Sequence, residues 1–183
     1  MDEKEKMITS QYYNPMDDVL LSNRKRAKAL CFEYNTTHPD DIKKKEDIIM
    51  QLLGKSGRNF LIEPYFHCDY GYNIEIGNDF YSNHNLVILD PAPVKFGNNV
   101  LIGPNCGFYT AEHPIDYAER LSGLEYARPI TVGNNVWFGG NVSVLSGVNI
   151  GDNVVIGAGS VVVKNIPSNT LAVGNPCRVI KKI

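Results

Sequence analysis

Four histidines stand in this chain, and one of them is placed where an imidazole could do chemistry. His113 precedes Pro114 in a polar stretch that follows a regular repeat. An imidazole held there can take a proton from a hydroxyl, a role that typically contributes about 10²- to 10⁴-fold in rate. Position alone leaves a surface histidine without a task equally open. Glu125, at the far end of the same stretch, offers a carboxylate that could hold the second ring nitrogen and so set the tautomer. A backbone carbonyl could do the same, and Glu125 could instead pair with Arg128 on the surface. His67 and His84 fall on early repeats, where they line a pocket or face solvent, and His38 before Pro39 reads as a structural residue at a helix start.

The elements that would position these groups follow a six-residue period. Val132, Phe138, Val144, Ile150, Ile156 and Val162 fall six apart, as do Phe96, Ile102 and Phe108, with Ile76 and Ile88 on the same count before them. Glycine follows most of these beats (Gly77, Gly97, Gly103, Gly133, Gly139, Gly151, Gly157), and Val100, Cys106, Val136, Val142, Val148 and Val154 come four after a beat. Six residues suit one short strand and a corner, so three units close a triangular turn of about 18 residues stacked at roughly 4.8 Å. No turn can bury its inward face alone, and stacked neighbours make one aliphatic column. The corners need a tight bend or positive φ, which accounts for glycine beside pairs such as Asn98-Asn99 and Asp152-Asn153. Helical crossovers of an ordinary parallel sheet have no room here.

Three segments leave the period. Residues 1–60 read as a helical N-terminal region, with one helix over Ser22–Asn35 burying Ala27, Leu30, Cys31 and Tyr34. A second helix is expected from near Asp40 to Gly54, carrying Ile42, Ile48, Ile49, Leu52 and Leu53. Such helices would cover the open first turn, whose bare edge would expose apolar side chains and unpaired strands. Residues 61–183 carry the solenoid, with a corner widened at Leu89–Pro93 and a loop at 110–129. Because the beat resumes in phase at Val132, that loop must be thrown outward, and long loops on rigid scaffolds usually carry function. The tail from Ile166 leaves the period and closes the far end.

Composition narrows the classes. A formal charge of −2 and no basic stripe argue against nucleic acid, and Lys43-Lys44-Lys45 among acidic residues reads as a solvated helix face. No stretch approaches a membrane span, no secretory hydrophobic segment opens the chain, and the four cysteines form no Cys-x-x-Cys pair. The expectation is a soluble cytoplasmic protein with reduced thiols.

The six-residue period is similar to that of the hexapeptide-repeat family, whose coils form a left-handed parallel β-helix and whose subunits assemble as trimers with sites between prisms. Five segments sharpen the match: Cys68-Asp-Tyr-Gly-Tyr-Asn-Ile, Phe80-Tyr-Ser-Asn-His-Asn, Thr110-Ala-Glu-His-Pro, Glu125-Tyr-Ala-Arg-Pro-Ile and Gly174-Asn-Pro-Cys-Arg-Val-Ile. Together they resemble the maltose/galactoside O-acetyltransferase branch over nearly the whole chain. The resemblance implies an all-β solenoid with a small helical N-terminus and one protruding loop, working as a homotrimer. It implies an acetyl group moved from acetyl-CoA to a sugar hydroxyl of maltose, glucose or galactoside type, with no metal. It makes His113 the general base and places Asp69 and Asn83 on the acceptor's hydroxyls. Asn14, where the branch commonly has Asp, would also hold the acceptor, though without a charge; Asp17 and Asp18 lie close by.

On the donor side the resemblance places backbone at Gly140 and Ala158 beside the thioester and pantetheine arm, where small residues permit approach. An N–H near Gly140 would stabilise an oxyanion. Lys164 and Arg178, with Lys181, would meet phosphates, their alternative being a solvated C-terminal end. Trp137, expected outward at a corner, would flank the cofactor channel or pack in the trimer. Cys106 and Cys31 both fall on buried faces, so a covalent acetyl-cysteine is not expected and direct transfer in a ternary complex is. Three rival readings remain: a zinc enzyme of the same fold, which would need three convergent histidines; an acetyltransferase for an antibiotic or other xenobiotic; and a non-catalytic scaffold.

Overall fold

The computed structural model describes residues 1–183. Its body is a left-handed parallel β-helix of about 6 turns, with three helices at its N-terminal end and a hairpin loop on one edge. The first face stacks Leu61–Ile62, Tyr81–Ser82, Leu101–Ile102, Trp137–Phe138, Val154–Ile156 and Thr170–Val173, all parallel, and ends with Arg178–Lys182 running antiparallel. The second face stacks Phe66–Cys68, Leu86–Leu89, Gly107–Tyr109, Ser143–Val144 and Val161–Val162. The third stacks Ile74–Glu75, Val94–Phe96, Ile130–Val132 and Asn149–Ile150. The chain visits the faces in that order, turn after turn.

The beat residues all point inward. Phe96, Ile102, Phe108, Val132, Phe138, Val144, Ile150, Ile156 and Val162 are buried, as are the residues four places on from them, such as Val100 and Val136. Phe80, Phe96, Phe108 and Phe138 stack edge to face through the column, with successive centroids 5.3, 4.9 and 5.3 Å apart. Edge-to-face contacts of this kind add about 0.5–1.5 kcal/mol each beyond the area they bury.

The corners divide their work differently from the sequence-based expectation. Positive φ belongs to asparagine and aspartate, at Asp79, Asn85, Asn99, Asn105, Asn135, Asn141 and Asn153, and not to the glycines that follow the beats. Those glycines answer a second demand, close stacking. A Cβ at Gly77 would stand 2.3 Å from the Gly97 carbonyl oxygen, and one at Gly139 2.6 Å from the Ala158 nitrogen. The residue before the left-handed one forms a ladder: the side-chain oxygens of Asn98, Asn134 and Asp152 each accept from a backbone N–H one turn before, at 2.8, 2.9 and 2.6 Å. Orphan corner donors are thereby satisfied by the next coil.

At the N-terminal end, helix α1 (Glu3–Ile8) begins with a capping box between Asp2 and Glu5. Helix α2 (Asp18–Thr36) is longer than the Ser22–Asn35 reading because Asp17 caps it, accepting from Val19 and Leu20. Helix α3 (Ile42–Leu52) buries Ile48, Ile49 and Leu52, whereas Ile42, expected on that face, is exposed in its first turn. Ala27, Cys31 and Tyr34 of α2 join Ile48, Ile49 and Leu52 in one continuous apolar cluster with the column. No helix is long and apolar enough to cross a membrane.

The segment 110–129 leaves the column without disturbing it: Val94 pairs directly with Ile130 and Phe96 with Val132. It is itself ordered. Ala111–Glu112 pairs antiparallel with Tyr126–Ala127, and a one-turn helix α4 (Tyr117–Arg120), capped by Asp116, forms the tip. Phe108 sits between two aromatic neighbours with no exposed surface, so Phe108→Ala should destabilise by about 3–5 kcal/mol. Urea unfolding at constant m-value would measure it; a loss below ~1 kcal/mol would mean that the column relaxes around the gap.

Candidate active site

The protruding hairpin brings His113 and Glu125 to the edge between the second and third faces. His113 Nε2 lies 3.9 Å from Glu125 Oε1, with the imidazole more than half exposed and the carboxylate about three-quarters covered. The other oxygen, Glu125 Oε2, accepts a 2.7 Å hydrogen bond from the Tyr13 hydroxyl. Tyr13 also exchanges both backbone hydrogen bonds with Glu125, at 2.9 and 3.1 Å, so the N-terminal segment and the loop are zipped together at this residue. Burial and the adjoining Glu125 carboxylate push the Tyr13 phenol well above its ordinary range, which keeps its proton available for that bond.

Arg128 is engaged elsewhere. Its Nε donates at 2.6 Å to Glu112, which also accepts from Tyr126 at 2.8 Å and from Ser146. Burial raises the Glu112 pKa, but hydrogen bonds from Ser146, Arg128 and Tyr126 outweigh it and hold the carboxyl below the usual range. The expected alternative pairing of Glu125 with Arg128 is therefore not made. Glu112 and Arg128 clamp the base of the hairpin and leave Glu125 to the histidine and the tyrosine.

Asp69 lies on the same edge, immediately after the strand Phe66–Cys68. It is partly buried; burial raises its pKa, the Arg24 guanidinium pulls it down and the Glu125 carboxylate pushes it up. Arg24 itself is held by the Tyr70 hydroxyl at 2.5 Å and by the Pro15 carbonyl. Beneath Asp69 sits a wholly buried carboxylate, Asp90. Its oxygens accept from the backbone N–H groups of Asp69, Tyr70 and Gly71 at 3.0, 2.9 and 2.8 Å. Burial drives the Asp90 pKa up to about 7 against the pull of those N–H bonds.

Asn14 is exposed beside Tyr13; its side-chain oxygen accepts from the Met16 N–H at 2.9 Å and its own N–H donates to Glu3 at 2.5 Å. Asn83, Gly140 and Ala158 fall on another edge, between the first and second faces, and Asn83 accepts from the His84 N–H at 2.7 Å. Gly140 has room for a Cβ, which would meet Pro104 only at 3.4 Å, so its own chain does not demand glycine there. Trp137 is 55% exposed in the strand Trp137–Phe138, on the outer side of the first face, where a corner position was expected. Lys164 is exposed at the edge shared with the hairpin, while Arg178 and Lys181 lie in the antiparallel closing strand. His113 and Asn83 therefore stand on two different edges of one prism. No group of three His, Cys, Asp or Glu side chains is placed to hold a metal.

Comparison with known proteins fits this geometry. Residues 6–57 match the maltose acetyltransferase hexapeptide capping motif, and residues 129–164 match the bacterial transferase hexapeptide of six repeats. The galactoside O-acetyltransferase of Escherichia coli K12 is 44% identical over 179 residues, 98% of this chain and 88% of its own. The chain belongs to the maltose/galactoside branch of the hexapeptide-repeat acetyltransferases. A maltose O-acetyltransferase from Clostridium difficile 630 superposes with a TM-score of 0.99 at 50% identity, over 100% of this chain and 98% of that one. A galactoside acetyltransferase in complex with coenzyme A gives 0.97 at 44% identity, over 100% and 92%.

As a member of this acetyltransferase branch, the chain carries its helical cap and its loop as one unit, joined at Tyr13 and Glu125. The resemblance points to Asn14, whereas its neighbour Tyr13 makes the contact with the loop. The spacing of Leu89–Pro93 shows only a widened corner, whereas Asp90 in that corner holds three backbone donors. An acidic residue opening a proline-interrupted corner was the available signal. Asp90→Ala would leave those buried donors unpaired, at a cost of about 3 kcal/mol or more in urea unfolding. The pH dependence follows from the raised pKa: the native state holds this proton from the ordinary carboxyl range up to about 7, and that contribution to stability disappears as pH rises through it. Relative to wild type, Asp90→Asn should therefore gain stability as pH increases across that window. A stability difference that is flat with pH would show that the three N–H bonds keep Asp90 ionised.

Proposed function

We propose that this acetyltransferase moves an acetyl group from acetyl-CoA to a hydroxyl of a sugar of maltose, glucose or galactoside type, with His113 as general base. The observation that carries the reading is the relay Tyr13–Glu125–His113, in which a buried phenol fixes one carboxylate oxygen and the other faces the imidazole. Glu125 holds the proton on the ring nitrogen that faces it, leaving the other nitrogen to take the acceptor's proton. An exposed imidazole on a pinned loop can close the 3.9 Å separation when the acceptor arrives, since catalytic contacts commonly tighten only in the complex.

The hydroxyl oxygen then attacks the thioester carbonyl carbon. A backbone N–H near Gly140 steadies the resulting oxyanion, and the proton on His113 passes to the departing thiolate of CoA. Asp69, Asn83 and Asn14 bind the acceptor's hydroxyls. Glu125, Asp69 and Arg24 make the acceptor side polar and suited to several hydroxyls. The relative crystallised with coenzyme A supports acetyl-CoA as donor. Gly140 and Ala158 line its arm, Trp137 flanks the channel, and Lys164, Arg178 and Lys181 meet its phosphates.

This reading requires an assembly, because the base and the Gly140 corner stand on different edges of one prism. A homotrimer meets the requirement by laying the Asn83–Gly140–Ala158 edge of one subunit against the His113 edge of the next. Leu61, Tyr81, Leu101, Trp137, Val155 and Leu171 support it: they stand in one register on the outer side of the first face. Such an apolar row is suited to cover by further copies of the chain.

His113→Ala should fold with an unchanged Tm and lose about 10²- to 10⁴-fold in kcat, read as free-thiol release with maltose, glucose, a thiogalactoside and a xenobiotic amine as acceptors. Wild-type turnover in that variant would end the proposal. Glu125→Gln should lower kcat less and leave the acceptor KM near its original value. Sedimentation should give three copies of the 20.4 kDa chain, and Trp137→Glu should lower both mass and activity. An active monomer would refute the shared site.

A further inference from the structure

Two thiols that acetyl transfer leaves unused are in contact. Cys31 lies on the buried face of α2, Cys68 ends the strand Phe66–Cys68, and their sulfurs stand 3.8 Å apart. Each is almost fully buried by its neighbours, yet both line an open cleft of about 480 Å³ whose other walls include Lys28, Asn35, Thr36 and His67. No carboxylate lines that cleft, and Lys28 stands on its wall, so its charge does not oppose a thiolate there. The pair is also unequal. A hydrogen bond from Cys68 holds the Cys31 thiol below its ordinary range despite burial and the charge of Asp90. The same contact, with burial and the Asp90 carboxylate, raises the Cys68 thiol. An attacking thiolate beside a resolving thiol is the arrangement that favours reversible oxidation.

We propose that Cys31 and Cys68 are a modification site: peroxide converts them to a reversible disulfide that latches α2 to the second face of the column. The Cys31 thiolate attacks one peroxide oxygen, the O–O bond breaks, and with one proton taken up the products are a sulfenic acid and water. The Cys68 sulfur then displaces the sulfenic oxygen: an S–S bond forms, the S–O bond breaks, and the Cys68 proton leaves with that oxygen as a second water. Two thiols lose two electrons, and one peroxide becomes two waters. The sulfurs must move from 3.8 Å to about 2.05 Å for the bond to form. The bridge encloses α3 and the first coil between positions separated by 37 residues, and it anchors the residue directly before Asp69.

The test treats the full-length protein with hydrogen peroxide, then counts thiols, maps peptides and measures Tm. The expected result is a fall from four free thiols to two, a Cys31–Cys68 linked peptide, and a Tm raised by about 5–15 °C that dithiothreitol reverses. Cys31→Ser and Cys68→Ser should each abolish both the linked peptide and the thermal shift. Four thiols persisting in the folded protein, or losses that map to Cys106, Cys177 or links between chains, would overturn the proposal. None of these measurements depends on acetyl transfer, so a failure of the His113 reading leaves them intact.

Discussion

Parallel coils stacked at about 4.8 Å leave no tolerance at their corners, and the rest of the molecule is built around that intolerance. A Cβ on Gly97 would lie 2.7 Å from the backbone of Gly133, so the inside of that corner accepts only glycine. In each following Asn/Asp pair the second residue takes the left-handed conformation, and the first hands its side-chain oxygen to an adjacent coil. Backbone pairing and the corner ladders repeat at one spacing, so each reinforces the register of the other, and the inward aromatic contacts tie the faces together. A column held in register at three edges is stiff, and stiffness is what a loop needs from its base.

The loop is fastened at both ends and from outside. Glu112, Tyr126, Arg128 and Ser146 form a polar clamp where the hairpin leaves the column. Tyr13, from a segment a hundred residues away in sequence, adds a short antiparallel bridge and a hydroxyl at Glu125. Beneath them Asp90 gathers three backbone N–H groups so that the turn carrying Asp69 keeps its shape. The acidic cluster of Asp69, Glu125 and Asp90 gathers in partly buried surroundings because each carboxylate has a specific set of donors or a guanidinium close by. Polar groups in such a place are tolerated when they are satisfied and are costly when they are not.

The division of the candidate residues between two edges explains why a single prism is an incomplete site in our reading. Regular strands turn every side chain of one corner type the same way, so residues on different edges cannot be brought together by bending the column. Only juxtaposition of a second copy can do it. The outward apolar row on the first face and the lack of intrachain crowding at Gly140 point the same way.

The sequence by itself determined the architecture, because a period of six is a statement about local geometry that survives without any knowledge of contacts. Val132 resuming in phase meant that 110–129 had to be thrown outward, and the direct pairing of Val94 with Ile130 is the physical form of that statement. The buried faces of α2 and α3 were legible for the same reason, apart from Ile42, whose place in the first turn of α3 leaves it in solvent. His113 and Glu125 were legible as candidate partners at the two ends of one loop, but their 3.9 Å separation was not. Tertiary structure alone decided that Tyr13 reaches Glu125, that Arg128 belongs to Glu112, and that Asp90 supports Asp69. It alone decided that Cys31 touches Cys68. These are contacts between elements distant in sequence, fixed by how far a helix cap and a hairpin project from a rigid column, and no spacing along the chain encodes that distance.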